Sequence, residues 1–426
     1  MLDIRRLRAE PSAVKDALAK RDPGLATVVD RVLELDETRR EALGLVNDLK
    51  AQRNDVSRKI GELKRDGGDA DALIVEMREV GNRIAELDEI VRAADEEIAS
   101  HMLALPNTPL DAVPGGGEEA NEVFAAWGSP AEFPFEPKPH WEVAEHLQIL
   151  DLPRGSKLSG SGFPVLKGAG ARLQRGLINF FLDTHTGDNG YTELRVPYLV
   201  TTESMTGTGQ LPKFAEESYL SERDDLWLIP TAEVPLTNMH RDELLSSEEL
   251  PVRYTAYSPC FRREAGAAGK DTRGLLRVHQ FDKVEMVRYE HPDRSWEALE
   301  ELTRHAESLL ERLGLHYRRL LLAAGDTGAS GALTYDLEVW APGVGRWLEV
   351  SSCTTFTDYQ ARRANIRFRS SQSEKPRFVH TLNGSGLALP RVVAAILETY
   401  QETDGSVRLP EVLHSYVGCD RITAPS

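Results

Sequence analysis

The sequence predicts an α+β protein in which an antiparallel coiled-coil helical arm precedes a large antiparallel β-sheet with flanking helices. Three observations predict this fold. Two heptad series lie near the N-terminus, a stretch rich in Pro and Gly follows them, and most strand-like runs after that stretch are not separated by helices. Because parallel strands need long crossover connections, consecutive strand-like runs favour antiparallel pairing.

Length and composition are those of a globular protein with two domains: 426 residues, of which 41% are hydrophobic and 28% charged. No apolar run is long enough to span a bilayer and the first residues lack an apolar signal region, so we expect a cytoplasmic protein without a membrane partner. Cys260, Cys353 and Cys419 stand singly, without the spacing of a zinc site. The net charge of −17 argues against non-specific DNA binding, although a local basic surface remains compatible with RNA.

The first 25 residues predict one amphipathic helix, which Asp22, Pro23 and Gly24 end. A seam in alternating steps of three and four then runs over residues 32–63, where Arg39 and Arg53 take two of the otherwise apolar positions. A second such series runs over residues 73–98 and is apolar throughout. A short Gly-containing break separates the two series. They predict an antiparallel coiled-coil hairpin over about residues 30–100, with a reach of roughly 45 to 55 Å at 1.5 Å per residue.

The distal half of the first arm helix is locally basic in a chain that is acidic overall. A solvated coiled-coil face is the commoner explanation for such residues when the arm is considered alone. The basic residues are Lys50, Arg53, Arg58, Lys59, Lys64 and Arg65.

Residues 106–139 are rich in Pro and Gly and predict a linker between an N-terminal domain, residues 1–105, and a second domain, residues 140–426. The second domain contains strand-like runs and three helical segments. The predicted strands are 191–196, 226–229, 254–262, 278–289, 333–339 and 346–351, and the predicted helices are 169–184, 296–313 and 390–400.

No phosphate-binding loop, dinucleotide fingerprint, hydrolase elbow or HExxH helix is present in the sequence. A nucleotide would therefore be bound by side chains on a sheet. The most distinctive stretch, Phe261 to Val287, predicts a hairpin with a long connection whose guanidinium and carboxylate groups suit phosphate oxygens and amine donors. Cross-strand ion pairs on a solvated ribbon are the alternative explanation.

Three further segments carry candidate residues. Thr231, Ala232 and Glu233 follow a strand, and residues 349–352 place a carboxylate and hydroxyls at a strand end, where capping is the more common role. Residues 383–386 predict a turn of small residues that leads into a helix bearing Arg391.

These segments together resemble the class II aminoacyl-tRNA synthetases. The helix and strand before Pro197, the FRREAG and RVHQFDKVEM hairpin, and GSGLALPR resemble that family's three motifs in order. More narrowly, the chain resembles the bacterial type of the seryl-tRNA synthetase family, and its helical arm resembles the arm of that family. The narrower resemblance rests on GTGQLPKF, PTAE, RVHQFDKVEMV, EVSSC, DYQARR and HTLNGSGLA.

The resemblance implies an enzyme that activates L-serine with ATP to seryl-adenylate and transfers serine to the 3′ end of tRNA(Ser), and also of tRNA(Sec). It implies a homodimer, from the motif 1 resemblance, and an arm that binds tRNA through its basic residues. The chain departs from the family pattern at Arg263, where serine is common, in the plain GAAG of the motif 2 connection, and at Pro390.

The resemblance also implies roles for individual residues. Arg262, Arg277 and Arg391 would be catalytic, Glu264 would bind the adenine amino group, and Phe281 would stack on the adenine ring. Glu349 and Ser352 would bind Mg²⁺. The implied ATP-binding set is Arg262, Arg263, Glu264, Val278, Phe281, Glu349, Val350, Ser351, Ser352 and Arg391. The implied serine-binding set is Thr231, Ala232, Glu233, Arg262, Glu285, Asn383 and Ser385.

Two alternatives remain at this point. One is an enzyme that makes seryl-adenylate but transfers the acyl group to an acceptor other than tRNA, and the arm argues against it. The other is a tRNA-binding protein without catalytic activity, and the arginine and glutamate residues of the motifs argue against that.

Overall fold

The computed structural model describes residues 1–264 and 273–425. The chain divides into two compact units. A helical unit comprises Leu2–Pro106, and a mixed unit comprises Asn107–Ser426 together with Met1.

The helical unit contains two short and two long helices. They are α1 (Ile4–Ala9), α2 (Pro11–Ala19), α3 (Leu25–Arg65) and α4 (Asp71–Ala104). The prediction of a single helix over the first 25 residues is wrong, because Pro11 disfavours helical geometry at the preceding Glu10 and begins a second helix instead.

The two long helices pack against each other in opposite directions. Arg31 pairs with Glu97 and Lys50 with Asp88, so partners on α4 come earlier as positions on α3 come later. Their shared apolar seam confirms the predicted coiled-coil arm. The buried seam residues are Ala42, Val46, Val80, Ile84 and Leu87.

The mixed unit contains nine α-helices and eighteen strands among the residues that the structure describes. The helices are α5 (His140–His146), α6 (Leu152–Ser159), α7 (Ala169–Gly187), α8 (Thr202–Thr208), α9 (Glu233–Thr237), α10 (Ser295–Arg312), α11 (Tyr359–Ala364), α12 (Leu389–Thr399) and α13 (His414–Val417). The strands are β1 (Glu122–Trp127), β2 (Leu150–Asp151), β3 (Val165–Leu166), β4 (Thr192–Glu193), β5 (Leu199–Thr201), β6 (Leu220–Ser221), β7 (Leu226–Leu228), β8 (Leu244–Ser246), β9 (Val252–Phe261), β10 (Gln280–Glu290), β11 (Tyr317–Leu321), β12 (Leu333–Ala341), β13 (Arg346–Thr357), β14 (Arg367–Arg369), β15 (Arg377–Phe378), β16 (His380–Ala388), β17 (Val407–Arg408) and β18 (Arg421–Ile422).

Eight of these strands form one large sheet in the order β1-β11-β12-β13-β16-β10-β9-β4. Its neighbouring strands are antiparallel except for the short β4, which runs parallel to β9. Helices α7, α10 and α12 pack on one face of this sheet and bury the main apolar core there. The antiparallel sheet with flanking helices predicted from the sequence is therefore confirmed.

The hairpin at the centre of the sequence prediction is formed by β9 and β10, with Phe261 opposite Gln280 and Val252 opposite Tyr289. The central part of its connection, residues 265–272, lies outside the described residues, and this part includes the GAAG segment of the predicted long connection.

The prediction of a turn over residues 383–386 is wrong. These residues lie inside β16, which pairs with β13 on one side and with β10 on the other. The glycines there serve close packing of helices on the sheet. A Cβ on Gly384 would lie 2.3 Å from Leu302 of α10, and a Cβ on Gly386 would lie 2.2 Å from the His185 ring of α7.

Two other segments also differ from the sequence expectation. The strand expected over residues 191–196 is reduced to the two residues of β4. Within residues 106–139, where a linker was expected, β1 pairs with β11, and the side-chain amide of Asn107 donates to the carbonyls of Ser330 and Phe356. Residues 107–139 therefore belong to the mixed unit.

Candidate active site

A polar cavity of about 920 Å³ lies on the face of the large sheet opposite to α10 and α12. Its floor is formed by β10, β12, β13 and β16, and its rim by residues flanking the β9–β10 connection. Most of the candidate residues line it. These are Thr231, Glu233, Arg262, Glu264, Arg277, Val278, Phe281, Glu349, Val350, Ser352, Asn383, Ser385 and Arg391.

One end of the cavity combines cationic and aromatic groups. The Arg262 guanidinium lies 5.2 Å from the centre of the Phe281 ring, a cation–π arrangement. Arg277 donates to the Glu264 carboxylate at 3.0 Å. Because β9 and β10 are paired at Phe261 and Gln280, Arg262 and Phe281 are brought together at the same end of the hairpin.

Arg391, in the first turn of α12, joins two elements of this end. Its Nε donates to the carbonyl of Leu276 at 3.1 Å, and a terminal nitrogen donates to the Glu349 carbonyl at 2.9 Å. The same nitrogen lies 3.3 Å from a Glu349 carboxylate oxygen. Arg391 thus contacts both Leu276, at the end of the β9–β10 connection, and Glu349, near the start of β13.

Acidic groups from β12 and β13 face the cavity beside this arginine. Asp336 lies opposite Ser352 and Glu338 opposite Glu349 in the strand register. Burial and the neighbouring Glu349 hold the pKa of Asp336 well above its usual range. Asp336 Oδ1 is buried and has no hydrogen-bond partner among the described residues. This arrangement suits a cation, which would relieve the repulsion between the carboxylates.

Mg²⁺ fits this donor set, because it favours oxygen ligands and is commonly held by one or two carboxylates together with substrate phosphates. Within residues 1–264 and 273–425, no group of three or more His, Cys, Asp or Glu side chains is arranged to hold a metal ion.

The other end of the cavity is built around Glu285, which is fully buried just behind the cavity wall. The Thr231 hydroxyl donates to one of its carboxylate oxygens at 3.0 Å, and the Asn383 amide donates to the other at 3.0 Å. Lys283, two residues earlier on the same face of β10, forms an ion pair with it. The carboxylate is thereby held by groups from three segments.

Glu233 provides a second buried carboxylate at this end. Gln360 donates to it at 2.7 Å, and the Gln360 carbonyl in turn accepts from the Thr381 hydroxyl at 2.8 Å. Burial and the nearby Glu285 raise the pKa of Glu233 to about 7, against the opposing effect of the Gln360 hydrogen bond. The pocket thus has two carboxylates close to each other, an environment that favours a cationic ligand.

Four candidate residues do not line the cavity: Ala232, Arg263, Glu285 and Ser351. The Arg263 side chain is exposed. Ala232 is packed in the apolar cluster that includes Leu236, and the Ser351 hydroxyl donates to the Ser385 carbonyl at 2.6 Å.

Sequence reasoning missed Lys283, Asp336 and Gln360. Lys283 and Asp336 alternate with apolar residues along β10 and β12, and that alternation was the available signal. Nothing local marks Gln360, which lies in the polar helix α11.

In the helical unit, the predicted basic residues lie along the last 16 residues of α3, over about 22 Å at 1.5 Å per residue. Lys50 lies 3.7 Å from Asp88, and Arg58 is 2.7 Å from Asp55. Arg53, Lys59, Lys64 and Arg65 are exposed.

Comparison with known proteins agrees with both units. Residues 1–109 match the model of the seryl-tRNA synthetase N-terminal domain, and residues 215–400 match the class II core domain of the G, H, P, S and T tRNA synthetases. A serine–tRNA ligase of Gemmatimonas aurantiaca is 54% identical over 420 residues, which cover 98% of this chain and 99% of that protein. The chain belongs to the seryl-tRNA synthetase family.

Other members of the family extend this comparison. A serine–tRNA ligase of Geobacillus kaustophilus is 54% identical over 419 residues, covering 98% of this chain and 99% of that protein. The crystal structure of seryl-tRNA synthetase from Pyrococcus horikoshii complexed with ATP superposes with a TM-score of 0.96 at 40% identity, covering 100% of both chains. In the described part of this family member, no helix is both long and apolar enough to cross a membrane.

Proposed function

We propose that this chain is a serine–tRNA ligase, which activates L-serine with ATP and transfers the serine to the 3′ end of tRNA(Ser). One observation carries the proposal. A single cavity has a cationic and aromatic end, with Arg262, Phe281 and Arg391, and an acidic end, where Thr231 and Asn383 hold Glu285. The first end suits a nucleotide triphosphate, and the second suits an amino acid with its ammonium group.

At the nucleotide end, Phe281 offers an aromatic face for adenine, and Glu264 offers an acceptor for the adenine amino group. Arg262 would contact the α-phosphate and Arg391 the γ-phosphate side. Arg277, which is paired with Glu264, would steady both that carboxylate and the phosphates. Val278 and Val350 line the same end.

Glu349 and Ser352 would hold Mg²⁺, with Asp336 as a further carboxylate beside them. The bound ion would supply positive charge next to the phosphates. Arg391 would keep Glu349 in place through its contacts with the Glu349 carbonyl and carboxylate.

At the acidic end, Glu285 and Glu233 would bind the ammonium of serine. Thr231, Asn383 and Ser385 would provide hydrogen bonds near the serine hydroxyl. A pocket built to bond a hydroxyl rejects an analogue without it by roughly 10⁴ to 10⁵, so alanine would be a poor substrate.

In the reaction, the serine carboxylate oxygen attacks the α-phosphorus of ATP and diphosphate leaves, which gives seryl-adenylate. The arginines neutralise charge on the phosphate oxygens during this step, and no protein nucleophile is needed. The terminal ribose hydroxyl of the tRNA then attacks the seryl carbonyl carbon and AMP leaves.

The basic residues of α3 would bind the tRNA through its backbone and shape rather than its sequence. We also propose tRNA(Sec) as a second acceptor and a homodimer as the functional assembly, both from the family resemblance. The cysteines are unpaired, which agrees with action in the reducing cytoplasm.

The proposal is tested by amino-acid-dependent exchange of labelled diphosphate into ATP. Serine should support exchange, and alanine and threonine should support far less. Equal exchange with all three would contradict the assignment of the acidic end to serine. Charging of total tRNA with labelled serine then tests whether tRNA is the acceptor. An enzyme with a different acceptor would show exchange without charging of tRNA.

A further inference from the structure

The β9–β10 connection returns to the sheet through residues 273–277, here called the re-entry segment. The Leu275 N–H donates to the Nε2 atom of His140 at 3.0 Å, and the carbonyl of the next residue, Leu276, accepts from Arg391. Both leucines are buried. Consecutive backbone groups of the segment are therefore bonded to α5 and α12, at the edge of the nucleotide end of the cavity.

His140 is fully buried and is held by the fully buried Glu398 of α12. One carboxylate oxygen of Glu398 accepts from the backbone N–H of His140 at 2.9 Å and lies 2.7 Å from its Nδ1. The other oxygen accepts from the N–H groups of Gly343 and Val344 at 2.8 and 3.0 Å. Because Nε2 accepts from Leu275, the imidazole carries its proton on Nδ1 and donates it to Glu398.

The re-entry segment is packed so closely on α5 around this hydrogen bond that its backbone has little room to shift. Gly274 has φ of +70°, and a Cβ there would lie 2.3 Å from His140 Nε2. The Arg273 guanidinium lies 4.7 Å from the centre of the Trp141 ring, next to His140 in α5. The end of the connection therefore rests on α5 at successive residues.

Helix α12 links this contact to the nucleotide end. Arg391 and Glu398 are seven residues apart, which is two turns, so their side chains leave the same side of the helix. One helix thus holds the Leu276 carbonyl directly and the Leu275 N–H through His140. Arg277, the following residue, pairs with Glu264.

We propose that His140 is a positioning residue for ATP, and this rests on the proposed function of the cavity. Supported by Glu398, it sets where the re-entry segment meets α12, and so where Arg277 and Arg391 stand relative to the phosphates. Its effect is confined to the nucleotide end, because the groups that hold Glu285 lie on other segments.

Two substitutions separate the two bonds of the imidazole. His140→Asn keeps an amide N–H near the position of Nδ1 for Glu398 but offers no acceptor to Leu275. His140→Gln places a carbonyl oxygen near the position of Nε2 and loses the donor to Glu398. We expect His140→Asn to raise the KM for ATP in serine-dependent exchange roughly tenfold, as for a buried N–H left unsatisfied.

His140→Gln should keep the KM for ATP within about threefold of the unsubstituted protein, and both variants should keep the KM for serine. His305→Asn is the matched control, because His305 is a partly buried histidine bonded to Tyr191 instead. It should lower thermal stability without changing either KM. Equal KM values for ATP in the unsubstituted protein and His140→Asn, or a parallel rise in the KM for serine, would overturn the proposal.

Gly274→Ala gives a second route if His140→Asn does not fold. It keeps the imidazole but drives a Cβ against it, and it should raise the KM for ATP about as much as His140→Asn. An unchanged KM in this variant would also overturn the proposal. Lack of serine-dependent exchange in the unsubstituted protein would instead refute the proposed function. The ATP-induced rise in the unfolding temperature, which should be smaller in His140→Asn, then tests His140 by itself.

Discussion

The buried carboxyl of Glu233 leads to a sharp prediction about stability in the serine-free protein. Its pKa rises from an ordinary 4.5 to about 7, through burial first and then the nearby Glu285. Between these pH values the folded protein retains a proton that the unfolded chain has released. Stability therefore falls as pH rises through this window, and the loss is complete above pH 7.

The magnitude follows from the difference of 2.5 pKa units between 7 and 4.5. At 1.36 kcal/mol per unit, ionised Glu233 costs about 3 kcal/mol of folding free energy at pH 8 and under about 1 kcal/mol at pH 5. Glu233→Gln removes the charge and retains an oxygen that accepts from Gln360. The variant should thus be more stable than the unsubstituted protein by these amounts.

Urea unfolding followed by tryptophan fluorescence measures this difference. All six tryptophans lie in the mixed unit, so the signal reports that unit alone. Glu311→Gln is a matched control for which the opposite change in stability is expected. The hydrogen bond from Arg304 lowers the pKa of Glu311, so replacing this carboxylate by a neutral amide should lower the free energy of unfolding at pH 8. A Glu233→Gln advantage that is the same at pH 5 and pH 8 would refute the reasoning.

The remaining predictions concern activity. The KM for serine should be about tenfold higher at pH 6 than at pH 8, because Glu233 with a pKa of about 7 is mostly protonated at pH 6; a flat profile would exclude its role in ammonium binding. Glu285→Ala should raise the KM for serine 10-fold or more and leave the KM for ATP unchanged, because it removes a charged hydrogen-bond acceptor only at the acidic end. An equal rise in both KM values would place the serine site elsewhere. Asp336→Asn should raise the Mg²⁺ concentration for half-maximal exchange several-fold, and an unchanged Mg²⁺ titration would remove Asp336 from the cation site. Replacing residues 30–100 by a short Gly linker should retain exchange and abolish charging of tRNA, and retained charging would contradict the role of the arm.

Local patterns predicted much of the fold correctly. The arm helices follow directly from the heptad spacing, since the seam residues need only each other to be buried. The β9–β10 hairpin was also predictable, because its two strands are close in sequence and rich in β-forming residues. The prediction of a single first helix was wrong for an equally local reason, because Pro11 disfavours helical geometry at Glu10.

The segment around Gly384 shows where local reasoning fails. Small residues in a row are typical of turns, but here they form the central strand β16. Gly384 and Gly386 are small because α10 and α7 approach the sheet at these points, and both helices are distant in sequence. The packing that requires these glycines is a property of the assembled sheet.

The sequence by itself determined the family, the two-part organisation and the residue types of the site, because these depend on motifs and on short-range periodicity. Only the tertiary structure decided which polar groups meet. Asp336 reaches Ser352 through strand pairing, Gln360 reaches Glu233, and His140 reaches Glu398 from 258 residues away. Their chemistry depends on burial and on neighbouring charges, and both arise only when distant segments pack together.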